Sequence, residues 1–173
     1  MIEKIKQQIS ASIAVKESMF HYCIEDIQSA ASLMIDSIRK GGKIFWCGNG
    51  GSAADAQHLA TELMGGMTSH DRKPIPSIAL TTDSSFITAW SNDTGFESIF
   101  SRQIQGLGKA GDVLIGISTS GNSENVLAAV KQAKFKELST IVFTGNSGGK
   151  INGVPDISIN IPSEDTQRIQ EAH

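Results

Sequence analysis

Cysteine is scarce in this chain, and the two present, Cys23 and Cys47, do not form a C-x-x-C pair. So few thiols cannot staple a disulfide scaffold, and the spacing predicts two buried, reduced cysteines in a cytoplasmic protein. Positive charge is also short: 15 Lys and Arg stand against 18 Asp and Glu, a formal net charge of -3. That argues against the basic face of a nucleic-acid groove. It leaves room for an anionic metabolite, since backbone N–H groups and hydroxyls hold phosphate without net positive charge. No apolar run approaches the roughly 18 residues of a membrane span, so no membrane partner is expected. The opening MIEKIKQQISASI alternates apolar and polar residues, unlike the apolar stretch of a secretory leader. Internal repeats and low-complexity tracts are absent. What remains is a chain of 173 residues, 39% hydrophobic and 19% charged, which reads as one globular domain spanning 1–173 with a core of its own.

The first forty residues read as two helices. Ile2, Ile5, Ile9 and Ile13 recur at three- and four-residue steps, and Ile24, Ile27, Ala31, Ile35 and Ile38 form a second stripe that Gly41-Gly42 ends. Helices placed before the first strand have no sheet neighbour in sequence, and an oligomer contact is expected of them. Beyond them, short apolar runs alternate with helical segments. Strands are predicted at Lys43–Cys47, Ser77–Leu80, Val113–Ile117, Thr140–Phe143 and Ile157–Ile161. Helices are predicted at Ala53–Met64, Ser84–Asn92, Phe96–Gly106, Asn125–Phe135 and from Thr166 onward. The alternation implies an α/β three-layer sandwich, a five-stranded parallel sheet covered on both faces, with extra N-terminal helices. Right-handed crossovers bring the C-terminal ends of all strands to one edge, where ligands of open α/β sheets bind.

Three loops at that edge stand out: Gly48-Asn49-Gly50-Gly51-Ser52, Ser118-Thr119-Ser120-Gly121-Asn122-Ser123, and Thr144-Gly145-Asn146-Ser147-Gly148-Gly149. The first two run directly into helices. Glycine permits close backbone approach, a helix N-terminus offers unpaired N–H groups, and Ser118, Thr119, Ser120 and Ser123 add hydroxyls. This is a phosphate cradle without a lysine. Neither G-x-G-x-x-G nor G-x-x-x-x-G-K-[ST] is present, so the nucleotide motifs do not apply. Such clusters also serve as ordinary turns and caps; two of them on one sheet edge favour the ligand. In the helix after GNGGS, His58 and Glu62 are four apart and share a face, a spacing suited to a divalent metal or to acid–base work. Asn92-Asp93 is a polar pair that can also reach the edge. Arg102 and Arg168 read as structural partners of carboxylates.

GNGGSAADAQH, Glu62, Ser91-Asn92-Asp93, GDVLIGISTSGNS at Gly111–Ser123 and RIQEAH at Arg168–His173 together closely resemble the phosphoheptose isomerase family of the sugar-isomerase (SIS) domain group. The resemblance runs over nearly the whole chain. It implies a flavodoxin-like SIS domain and a cytoplasmic homotetramer with active sites between subunits and one Zn2+ per subunit. The implied reaction converts sedoheptulose 7-phosphate to D-glycero-D-manno-heptose 7-phosphate, toward ADP-heptose and lipopolysaccharide. Ser52, Ser118, Thr119, Ser120 and Ser123 would hold the phosphate of this seven-carbon sugar. Asn49, Gly50, Gly51, Asn92 and Asp93 would line the substrate. His58, Glu62 and Gln170 would ligate zinc, with Glu62 also the proton-transferring base and Gln170 also touching substrate.

The resemblance departs in three places. The family's Gly-Arg-aromatic after the Glu is Gly65-Gly66-Met67 here, with Arg72 a loose substitute for the arginine. Residue 167 is Gln where some members are acidic. The family pattern continues for about five residues past His173 to a second histidine in a closing helix, so that helix is expected to be missing from 1–173. Two other readings compete: a non-catalytic SIS scaffold that binds the replication initiator protein, and a phosphosugar-sensing regulatory domain. Glu62 and the small Ser120 favour the enzyme over the scaffold, and no DNA-binding segment accompanies the domain.

Overall fold

The computed structural model describes residues 1–173. Two helices, α1 (Ile2–Tyr22) and α2 (Ile24–Arg39), precede the sheet; then come β1 (Ile44–Gly48), α3 (Gly51–Gly65), β2 (Ser77–Ala79), α4 (Ser84–Asp93), α5 (Ile99–Leu107), β3 (Val113–Ile117), α6 (Glu124–Phe135), β4 (Ser139–Gly145), β5 (Ile157–Ile161) and α7 (Thr166–Ala172). The five strands are all parallel in the order β2-β1-β3-β4-β5. Predicted and observed elements agree in number and type, with ends shifted by a residue or two, which is the usual fraying. One helix differs. The expected Phe96–Gly106 begins as a 3-10 turn at Phe96–Ser98 before α5 starts. The Ser98 hydroxyl accepts from the Trp90 indole at 2.8 Å and donates to the Gly95 carbonyl at 3.3 Å, which tightens that first turn.

β1 and β3, at the centre of the sheet, are buried at every position, the edge strands β2 and β5 less so, and the side chains divide alternately between two apolar layers. Ile44, Trp46, Val113, Ile115, Ile117 and Ile141 meet α2, α3 and α7 through Ala30, Ala56, Ala60 and Ile169. Phe45, Cys47, Leu114 and Val142 meet α5 and α6 through Phe100, Ile104, Val126 and Ala129. Each such isoleucine or valine contributes roughly 1.5–3 kcal/mol by leaving water. Both cysteines are free and buried. Burial pushes the Cys47 thiol up to about 12, so it is inert at neutral pH. The apolar stripes of α1 and α2 are less covered: Ile2, Ile5, Ile9, Ile13, Ile24 and Ile35 are exposed. No helix is long and apolar enough to cross a membrane.

The arginines behave differently from one another. Arg168 is buried, pairs with Glu171 at 2.8 Å and donates to the Gln8 carbonyl at 2.9 Å, tying α7 to α1. Arg102 finds no carboxylate. Its guanidinium lies 4.9 Å from the Trp90 ring centre and donates to Gln105 at 2.6 Å, a cation–π contact in place of the expected ion pair.

Candidate active site

β1 pairs with β2 on one side and β3 on the other, so the chain reverses its winding between β1 and β3. Gly48 and Ile117, the last residues of those strands, are directly opposed. The GNGGS and STSGNS loops therefore leave the sheet side by side, at the crevice where a doubly wound sheet binds ligand. Asn49 and Asn125 lock the two loops together: Asn49 Nδ2 donates to Asn125 Oδ1 at 2.9 Å and Asn125 Nδ2 donates to Asn49 Oδ1 at 2.8 Å. The same Asn125 oxygen accepts the Val126 amide at 2.9 Å. Asn49 thus presents backbone rather than a free amide to the crevice. Beside it, Gly48, Gly50, Thr81, Ile87 and Phe96 help line a cleft of 140 Å³.

The Ser118–Ser123 turn is held from within and from the third loop. Ser118 and Ser123 share a hydroxyl hydrogen bond of 2.9 Å, the Ser120 hydroxyl accepts the Asn122 amide at 3.2 Å, and the Gly121 amide reaches the Ser118 carbonyl at 2.9 Å. Thr119 O accepts the Gly145 amide at 3.0 Å, and Gly121 O accepts the Ile151 amide at 3.0 Å. Ser120 is exposed, Thr119 and Ser123 are half-buried and Ser118 is buried. The turn is preorganised, with three hydroxyls at or near its surface and the N-terminus of α6 beneath it. The first two expected loops form one site; the third serves as its wall.

The α3 face is the other half. Asp55, His58 and Glu62 lie at positions i, i+3 and i+7, one stripe of the helix. Gln170, from α7, lies against the start of that stripe: its Oε1 accepts from Ser52 Oγ at 3.2 Å and its Nε2 donates to Asp55 Oδ2. Burial pushes the Asp55 carboxyl up, and His173, His58 and Gln170 pull it partly back. Burial holds the His173 imidazole below its ordinary value, opposed by the Thr144 carbonyl it meets at 3.1 Å and by Asp55. Asp55 was not anticipated, although its i, i+3, i+7 spacing with His58 and Glu62 was visible. Asn125 was missed because its partner lies 76 positions away. Asn92 and Asp93 bond one another at 2.8 Å at the exposed end of α4 rather than joining the two loops. Arg72 does not substitute for the arginine absent at position 66: its guanidinium is spent on the carbonyls of Glu62 and Leu63.

A zinc site is built from imidazole nitrogen, carboxylate oxygen or thiolate sulfur. His58 and Glu62 supply the first two types a turn apart, His58 exposed and Glu62 half-buried, and the ion pairs of the molecule lie elsewhere. No three His, Cys, Asp or Glu side chains converge on one point. Gln170, the remaining donor, is turned toward Ser52 and Asp55. His58 and Glu62 are donors of types that fit the metal, while the Gln170 amide is engaged by Ser52 and Asp55.

Fold and crevice define an open α/β domain with a preorganised, hydroxyl-lined turn at its switch point. The match to known proteins is more specific: residues 8–145 fit the SIS domain family. The chain is 47% identical to the phosphoheptose isomerase of Aquifex aeolicus, over its entire length and 90% of that protein. The phosphoheptose isomerase of Neisseria gonorrhoeae superposes with a TM-score of 0.92 at 45% identity, covering 99% of this chain and 92% of that one. That of Francisella tularensis superposes at 0.93 with 39% identity, covering 98% and 90%. The chain belongs to the phosphoheptose isomerase family of SIS-domain proteins. The replication-initiator scaffold reading gains no support from these relatives.

Proposed function

We propose that this chain interconverts sedoheptulose 7-phosphate and D-glycero-D-manno-heptose 7-phosphate, the first step toward ADP-heptose and the heptose of lipopolysaccharide. The observation that carries this reading is a preorganised hydroxyl turn at the β1/β3 crevice, joined through GNGGS to a helix bearing Glu62. Ser52, Ser118, Thr119, Ser120, Ser123 and the N-terminus of α6 bind the phosphate, which does not react. Its binding energy is used to place the far carbons. Gly50, Gly51 and the Asn49 backbone line the chain of the sugar, and Asn92 and Asp93, now bonded to one another at the end of α4, would have to turn toward it to make their contacts. Glu62 takes a proton from C1 of the ketose. The electron pair forms the C1–C2 double bond of an enediol, and the same carboxyl returns the proton to C2, while a proton passes from O1 to O2.

His58, Glu62 and Gln170 would hold one zinc per subunit. When bound, the metal would polarise the sugar oxygens on which negative charge develops. Counting the helix rise, Glu62 lies about 15 Å along α3 from Ser52. A neighbouring subunit bringing its own loop toward this face is consistent with a homotetramer having sites between subunits. The exposed isoleucines of α1 and α2 support such an assembly, as does the 570 Å³ groove between α1 and α7 lined by Ile9, Ile13, Lys16 and Arg168. Two free cysteines support a cytoplasmic location. The reading is tested by following sedoheptulose 7-phosphate turnover with zinc supplied. Glu62→Gln should lower kcat by at least about 100-fold and leave sugar-phosphate binding, read by calorimetry, nearly unchanged. A Glu62→Gln enzyme of full activity would remove the base from the scheme.

A further inference from the structure

The last turn of α3 leaves carbonyls that helical hydrogen bonding cannot satisfy. Gly66 begins to close it: its amide donates to the Glu62 carbonyl at 3.0 Å, and its φ of +92 turns the chain away. The segment from 67 to 76 then travels to the start of β2 and sends one long side chain back. Arg72 Nη2 donates to the Glu62 carbonyl at 2.6 Å and to the Leu63 carbonyl at 2.7 Å, while Nη1 donates to the Lys73 carbonyl at 3.0 Å. The Ile75 amide adds a third tie from this segment to the helix, to Leu63 O at 3.2 Å. A guanidinium at this place meets the negative end of the helix dipole and gives each of these two carbonyls a second donor beside its backbone amide.

We propose that Arg72 is a positioning residue for Glu62, a role that rests on reading Glu62 as the base of the isomerase. One of the two carbonyls it holds belongs to Glu62 itself, so the backbone carrying the carboxylate is pinned in the turn where helices ordinarily fray. Proton abstraction is sensitive to displacements of an ångström or less. Gly66 is part of the device. A Cβ there would stand 2.4 Å from the Ser69 carbonyl and 3.3 Å from Arg72 Nε, in a backbone region that disfavours side chains. The turn that brings Arg72 under the helix has no room for the arginine expected at 66. The phosphate cradle lies at the opposite end of α3, so loss of Arg72 acts on chemistry rather than on capture of the sugar phosphate.

The test compares wild type, Arg72→Gln and Arg72→Lys in the zinc-supplied full chain, with amide hydrogen exchange alongside kinetics. Arg72→Gln should lower kcat about 10-fold while KM stays within about twofold, and should speed exchange at the Gly66 and Ile75 amides. Arg72→Lys, keeping the cation but reaching fewer acceptors, should recover part of both. Should Arg72→Gln fold poorly, Gly66→Ala disturbs the same turn with the cation in place and should show the same selective loss of kcat. Unchanged kcat in a folded variant, or a loss that only follows the fraction unfolded, overturns the positioning role alone. A wild-type chain without isomerase activity overturns both this role and the isomerase reading.

Discussion

Asn49 and Asn125 form a closed amide pair across the crevice, with hydrogen bonds of 2.9 and 2.8 Å joining the loop after β1 to the first turn of α6. Asn125 is buried, and its oxygen also accepts a backbone amide. Truncation leaves the Asn49 amide and the Val126 N–H short of partners, at about 1–3 kcal/mol. Asn125→Ala is expected to lower the urea midpoint accordingly. It should also raise KM for the sugar phosphate more than it lowers kcat, because the two halves of the cradle lose their common register. Equal KM in a folded variant would show that the loops hold their positions unaided.

Gly121 and Gly148 meet more closely than any side chain permits. A Cβ on Gly121 would lie 1.9 Å from the Gly148 carbonyl, and its φ is +63. Gly121→Ala must therefore push the third loop away or unwind the turn, at a cost of about 1–3 kcal/mol from the backbone alone. Phosphate binding by calorimetry should weaken at least about tenfold. A variant that binds inorganic phosphate as wild type does would count against the turn as the cradle.

Much of this was legible beforehand, and the reason is local. Buried parallel strands announce themselves as short apolar runs such as VLIGI, and the helices as stripes such as Ile2, Ile5, Ile9 and Ile13, because both signals repeat within a few residues. The two loops that form the crevice are legible because their Gly, Ser and Asn residues are contiguous in sequence. What stayed hidden depends on contacts far apart in the chain. Asn125 looks like any helix-start polar residue until Asn49 is beside it. Arg72 reads as a loose substitute for the family's arginine until the segment from 67 to 76 folds it under α3. Ser98 shortens α5 through a bond to Trp90 that no periodicity encodes.

His173 and Asp55 give the pH dependence opposite contributions. Burial depresses the folded-state pKa of His173. Its contribution is thus present above the unfolded value of about 6.5 and is lost as pH falls through the lower folded value. Denaturation midpoints should decline between neutral pH and pH 5, and His173→Gln should flatten that decline. Asp55 is raised by burial, so its contribution is full below the unfolded carboxyl value and lost as pH rises through the folded one. At neutral pH the ionised carboxylate weakens the fold, and Asp55→Asn should raise the midpoint there. A lower midpoint in Asp55→Asn would mean that the bond from Gln170 outweighs desolvation.

Assembly offers the sharpest test of what α1 is for. Ile5, Ile9 and Ile13 each retain half or more of their surface, at 53%, 56% and 51%, and they line up on one face of a helix with no buried residue. Nothing within the chain is stabilised by leaving that stripe in water, at about 25 cal/mol for every Å² that a partner would cover. A double substitution, Ile9→Glu with Ile13→Glu, keeps helix propensity and disturbs no core contact. Light scattering should find the native chain as a tetramer and the variant as a smaller species. Circular dichroism should find the fold intact in both. If sites are completed between subunits, isomerase activity should fall with the loss of assembly and return at high protein concentration. An active monomer would instead place the whole reaction within one chain and require Glu62 to reach the sugar from the same subunit that holds its phosphate.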